Sequence, residues 1–349
     1  MTGLAARLRP AGATGSFDRR LIAPMVLGAI LNPVNSSMIA VSLVPIGVAF
    51  GAPPAETAWL VSALYLATAT GQPVVGKLVD LFGVRRVFLA GTALAGIAGV
   101  IGTLAPNLGT LIVARVILGF GTCAGYPVAM TLIRREAERT GTDSPGGILT
   151  LLAVSSQTIA VVGPTLGGLL IGLGGWRTIF SVNIPLSLAC LALGALRLPR
   201  TRPEDRRRST VDIPGMVLFA GTLTALLLFL MDLRAGHWWL LLLTAAAPAA
   251  FAVRELHVAD PFLDLRVLGS SLANQNAVYH QADLETIGSS AGLLRTFTYL
   301  GAIVAAAANA AVFTAGADTA GLHQLAVFIL AVATLLLAAS LADRSLSRI

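Results

Sequence analysis

Charge is scarce in this sequence. Asp, Glu, Lys and Arg make up 12% of its 349 residues, against about 25% in a soluble domain. That leaves too little polar surface to coat a water-soluble body of this size, so the apolar excess must meet lipid. Lysine is nearly missing. Lys77 stands alone and every other cation is arginine, a bias of GC-rich coding rather than of function. Cys123 and Cys190 both lie inside apolar stretches, with neither a disulfide framework nor metal-ligand spacing. The four histidines are scattered, and no nucleophile–base pair stands out. We therefore expect no enzyme, no cofactor and no metal. No secretory leader is expected either, because the first apolar run is too long and lacks a small-residue cleavage site. Asp and Glu are missing from the middle of every apolar stretch; Glu56, Asp80 and Asp232 all lie near ends.

What is present is a series of long apolar runs rich in Ala, Leu, Gly and Val. A membrane-spanning helix needs about 20 mainly apolar residues. Ten such stretches are read at 22–48, 57–76, 86–105, 108–132, 147–173, 177–197, 213–232, 237–254, 286–314 and 320–342. The expected fold class is an all-α polytopic membrane protein. The first and fifth stretches are long enough to tilt, or to break near Pro33 or Pro164.

The net charge of +7 does not point to nucleic acid, because the arginines fall in alternate loops. They precede the first stretch and follow the second, fourth, sixth, eighth and tenth, while the loops between hold almost none. The positive-inside rule then puts both termini in the cytoplasm. Residues 199–212 form a polar, basic, proline-containing linker. Residues 255–285 form a second, longer connector, with an Asn/Gln/Ser-rich tract at Ser270–Gln281.

Several stretches carry motifs. Between the second and third runs stands Gly76-Lys-Leu-Val-Asp80-Leu-Phe-Gly83-Val-Arg85-Arg86. Its glycines permit a tight turn, Asp80 suits a helix N-terminus, and Arg85 and Arg86 suit an anionic leaflet. The fourth run holds Arg115-x-x-x-Gly119-x-Gly121. An arginine in a span is costly and marks function by default. It sits about 10 Å along the helix axis, so the alternative is snorkelling to the interface. The fifth run holds Gly163-Pro164-Thr-Leu-Gly167-Gly168, followed by Trp176-Arg177-Thr-Ile-Phe180-Ser-Val-Asn183-Ile-Pro185. In the first run Asn32, Asn35, Ser36 and Ser37 make a neutral polar patch.

Together these motifs resemble the major facilitator superfamily, in its fourteen-helix drug:proton antiporter branch. The loop is similar to G-x-L-a-D-r-x-G-r-[RK], the fourth run to R-x-x-x-G-x-G, and the fifth to G-x-x-x-G-P-x-x-G-G with Ile159 in place of the leading glycine. Asp260-Pro-Phe-Leu-Asp264-Leu-Arg266 resembles the segment before that branch's ninth helix. Ile287–Gly301, with Arg295, resembles its penultimate helix. Only about 20 residues separate them, where the branch has four helices, so helices nine to twelve are expected to be missing, with a join near Leu268–Ser271.

The resemblance implies a tail at 1–20, a six-helix bundle at 21–198, an extra helix pair at 213–254, and the last two helices of an incomplete second bundle at 286–349. It implies alternating-access efflux of an amphipathic, drug-like molecule across a bacterial inner membrane. Substrate would meet Asn32, Asn35, Ser36, Arg115 and Gln157, with Arg295 a late-helix candidate. Gly76, Asp80, Gly83, Arg85 and Arg86 would gate. Gly119, Gly121, Gly163, Pro164, Gly167 and Gly168 would pack helices. The branch's carboxylate position holds Asn35, which removes the usual titratable group for proton coupling. A chain short of four helices would need self-association to complete its cavity. The rival expectation is a non-transporting membrane scaffold or regulatory remnant.

Overall fold

The computed structural model describes residues 17–141, 146–200, 212–231, 239–257, 287–312 and 319–342. All ten apolar stretches are helical over most of their described residues. In chain order the helices are α1 (Ile22–Met38), α2 (Leu43–Phe50), α3 (Pro54–Thr57), α4 (Trp59–Phe82), α5 (Val84–Leu104), α6 (Leu108–Thr122), α7 (Gly125–Thr140), α8 (Gly146–Gly174), α9 (Thr178–Ser181), α10 (Asn183–Arg197), α11 (Ile213–Met231), α12 (Trp239–His257), α13 (Ile287–Val312) and α14 (Thr319–Ala342). Among the described residues, five helical segments are long and apolar enough to cross a membrane: Arg19–Phe50, Val84–Leu104, Leu108–Thr140, Gly147–Gly174 and Thr178–Arg197.

Three of the ten stretches are interrupted, and one rule covers all three. A proline lacks the N–H that would bond the carbonyl four residues back, and its ring crowds that carbonyl. Pro45 accounts for the 3₁₀ turn Ile39–Ser42, Pro127 for the gap at Cys123–Ala124, and Pro185 for the turn at Val182. Of the two options open to the long first and fifth stretches, a break at Pro33 or Pro164 does not occur, since α1 and α8 run unbroken through both. Two serines in the next turn bond back to the carbonyl of Pro33 itself. Ser37 donates to the Pro33 carbonyl at 2.6 Å and Ser36 to the same oxygen at 3.3 Å.

The first six stretches form a bundle. α1 packs against α7 and α8, α5 against α6 and α10, and α4 against α6. Its core includes Met25, Phe88, Val128 and Ile133, all nearly or fully buried. Large apolar side chains such as Val44, Ile97, Val113, Leu169 and Leu188 point outward, as a lipid-facing surface requires. α13 lies along α4, and α11 packs on α4 and α13, with Phe219, Leu223, Phe251 and Tyr299 in one cluster. Arg254 near the end of α12 forks onto Asp212 at 2.6 and 2.7 Å, and Asp212 also accepts from the Gly215 amide at 3.0 Å. One carboxylate thus caps α11 and ties α12 to it. The join at Leu268–Ser271 and the tract Ser270–Gln281 lie outside the described residues.

Candidate functional site

Close helix approach begins with glycine. A methyl group on Gly119 would meet Ala67 Cβ at 2.7 Å and the Leu64 carbonyl at 3.0 Å, so α6 lies directly on α4. Arg115 is one turn away on the same face. It is fully buried. Its Nε donates to the Leu60 carbonyl at 2.9 Å, and Nη1 and Nη2 donate to the Asn35 carbonyl at 3.3 and 3.2 Å. One guanidinium therefore ties α6 to α4 and α1, and snorkelling does not occur. Gly121 faces the other way, onto α5, where a methyl group would stand 2.7 Å from the Ala95 nitrogen. In α8, Gly163 abuts Ser37, while a methyl group on Gly167 would lie 2.8 Å from Val41 Cγ2. Gly168 faces open space.

Asn35 and Asn183 form a reciprocal amide pair. Each Nδ2 donates to the other's Oδ1, at 2.6 and 2.8 Å, and both residues are buried. Around the start of α9 and α10, Trp176 packs on Phe50 and Phe180, and Arg177 lies 4.4 Å over the Trp176 ring. The Trp-Arg-x-x-Phe-x-x-Asn stretch is thus an aromatic plug that positions Asn183.

A cavity of about 340 Å³ lies between α1, α4, α7, α8 and α13. Asn32, Pro33 and Ser36 reach it from α1, Tyr65 from α4, Tyr126 and Met130 from α7, Ser156 and Gln157 from α8, and Arg295, Thr298 and Tyr299 from α13. Asn32 organises its wall. Its Nδ2 donates to Thr122 Oγ1 at 3.0 Å and to Thr68 Oγ1 at 3.3 Å, and its Oδ1 accepts from Tyr299 Oη at 2.8 Å. Asn35 and Arg115 are not on this wall; they sit behind it, within the helix packing. The reason is rotation of the helix. Asn32 and Ser36, four residues apart, share one face, and Asn35 points toward α6 and α10.

At one end of α13 is a second feature. Asp80 accepts from the backbone amides of Gly288 (Oδ1, 3.0 Å) and Ser289 (Oδ2, 3.0 Å), in the first turn of α13. A helix N-terminus has free amides and a positive dipole end, so a carboxylate there is doubly favoured. Gly76 and Gly288 touch backbone to backbone, and Gly292 touches the Gln72 carbonyl. Small residues on both helices let Asp80 reach. Gly83, at φ 85°, makes the turn into α5 that only glycine enters easily. Arg85 donates to the Ala195 carbonyl at 2.7 Å in the last turn of α10, and Arg86 is exposed.

Residues 25–253 match the Major Facilitator Superfamily model. The chain belongs to the Major Facilitator Superfamily. Among curated relatives, it is 37% identical over 264 residues to an uncharacterized MFS-type transporter, YwoD, of Bacillus subtilis, covering 73% of this chain and 56% of that one. It is 31% identical over 283 residues to the multidrug resistance protein B homolog of Mycobacterium tuberculosis, covering 79% and 50%. It is 31% identical over 293 residues to the lincomycin resistance protein of Streptomyces lincolnensis, covering 81% and 60%. A solved structure, that of the human organic anion transporter MFSD10, matches with a TM-score of 0.55 at 12% identity, over 89% of this chain and 98% of that one. At that identity the likeness is one of fold. The chain spans 50–60% of the length of these three curated relatives.

For a superfamily member, two features were hidden in the sequence. The Asp80 partner lies 208 residues away and is backbone, which no motif reports. Three of the four tyrosines in the chain (Tyr65, Tyr126 and Tyr299) line one cavity. In so aromatic-poor a sequence, tyrosines placed within apolar runs were an available signal.

Proposed function

We propose that the chain is a multi-pass transporter of the bacterial inner membrane. It exports a small, drug-like molecule through the cavity between the six-helix bundle and α13. The supporting observation is the cavity itself: hydroxyls, amides and tyrosines from five helices converge there, in the manner of a small-molecule site, and a retained late helix supplies one wall. The relatives named for multidrug and lincomycin resistance support the export reading. In inside-out membrane vesicles holding the full chain, we expect accumulation of at least one of ethidium, rhodamine 123 and fluorescein above empty vesicles. Absence of accumulation with all three would favour the rival reading, a non-transporting remnant. That rival has its own support, because α8 leaves much of its surface uncovered, as loss of helices nine to twelve would leave it. Self-association is then the natural way to cover α8.

The Asn35–Asn183 pair stands where the branch has a carboxylate, so proton coupling does not run through this position. The proposed domain layout is the six-helix bundle 21–198, the extra pair 213–254 and the late pair within 286–349. Both termini are cytoplasmic in this reading. Phosphatase reporters fused after Arg208 and after Arg266 are expected to be inactive, as cytoplasmic fusions are. Activity at either point would break the ten-span topology.

A further inference from the structure

The cavity has one charged lining residue, Arg295, and no Asp or Glu among its described lining residues. Arg295 lies eight residues into α13, so about 12 Å along its axis. Its Cζ stands 5.2 Å from the Tyr126 ring centroid and 5.9 Å from that of Tyr299. Among the described residues no carboxylate pairs with it. Asp80, the carboxylate at the start of α13, has both oxygens engaged by the Gly288 and Ser289 amides. A cation held inside a span normally has a counter-ion. Here aromatic faces hold the guanidinium, which orients it without neutralising its charge. Its planar fork matches a carboxylate. The rest of the wall offers flat apolar and ring surface (Pro33, Tyr65, Met130) and neutral donors and acceptors (Ser36, Gln157).

We infer that the cavity selects organic anions, namely planar aromatic molecules bearing a carboxylate or similar acid, with Arg295 as the specificity-determining residue. This rests on the reading of the cavity as the substrate site. The substrate anion takes the place of a counter-ion that none of the described residues supplies, so a cationic drug of the same shape is repelled where the acid is held.

Fluorescein and rhodamine 123 test this, since they share a xanthene frame and differ in the sign of their charge. Binding of each to the purified full chain is read by fluorescence anisotropy. The wild-type chain is expected to bind fluorescein at least about tenfold tighter than rhodamine 123, the loss of one charge-assisted contact being worth about 10- to 100-fold in affinity. Arg295→Gln is expected to weaken fluorescein by a similar factor and to abolish the preference. Arg295→Lys, which keeps the charge, is expected to retain it. A wild-type preference for rhodamine 123, fluorescein affinity unchanged in Arg295→Gln, or no binding of either dye would overturn the inference. The comparison of dyes on the wild-type chain needs no variant to fold. Charge-selective binding without vesicle accumulation would sink the transport reading alone. Accumulation of rhodamine 123 that ignores Arg295→Gln would sink the anion inference alone.

Discussion

Replacing Arg115 by alanine is expected to cost the six-helix bundle about 3–5 kcal/mol, because hydrogen bonds from a charged donor contribute about 1.5–3 kcal/mol each and buried acceptors are left without it. The guanidinium bonds α6 to α4 and α1 at once, through the carbonyls of Leu60 and Asn35. The Asn35 carbonyl lies four residues before Ile39, where the first stretch turns from α to 3₁₀. Arg115 therefore supports the backbone at its weakest point. A methionine at the position fills the volume but supplies no donor, so Arg115→Met is expected to lose most of the same stability. Lysine keeps the charge and lacks the fork, and should fall between. The measurement is the midpoint of SDS-induced unfolding of the purified chain. An alanine variant within about 1 kcal/mol of wild type would mean that the three bonds contribute nothing net.

Asp80→Asn is expected to loosen α13 from α4 by about 2–4 kcal/mol, from the loss of one charge-assisted bond and of the charge at the helix dipole. The Gly288 and Ser289 N–H groups bond separate oxygens, so an amide in the same place accepts from one of them and turns its NH₂ toward the other. The population in which the clasp is open should rise about 30- to 1,000-fold, at 1.4 kcal/mol per decade. Hydrogen exchange at the Gly288 and Ser289 amides reads this directly and should accelerate by that factor, with membrane insertion unchanged. In the transport reading proposed above, accumulation in vesicles should fall with it, because α13 supplies one wall of the cavity. Exchange at wild-type rates in Asp80→Asn would remove the clasp from the mechanism. Asp80→Glu keeps the charge on a longer arm, and is expected to restore part of the protection.

The two residues differ in how far the sequence foretold them. Composition and run length sufficed for the ten helical stretches, since burial in lipid imposes a one-dimensional rule that any window of about 20 residues can satisfy. The helix interruptions were equally local, but they depended on Pro45, Pro127 and Pro185 rather than on Pro33 and Pro164. A proline deep in a packed helix need not break it, and α1 and α8 run through Pro33 and Pro164 without interruption.

What sequence alone determined, then, was the order of the ten helical stretches and the presence of a costly arginine and a cap-competent aspartate; of the glycines expected to pack helices, Gly168 faces open space instead. What only the tertiary structure decided was direction. Gly119 and Gly121 are two residues apart and serve different neighbours, α4 and α5. Asn32 faces the cavity while Asn35 is sealed behind it against Asn183. Arg115 binds backbone instead of lining the cavity, and Arg295, from the far end of the chain, provides the cavity's charge. Hydropathy reports whether a helix is buried in the membrane, but not how it is turned about its own axis. That rotation is set by the packing of all neighbouring helices at once, and in this chain it brings α13 against α4 across 208 residues of sequence.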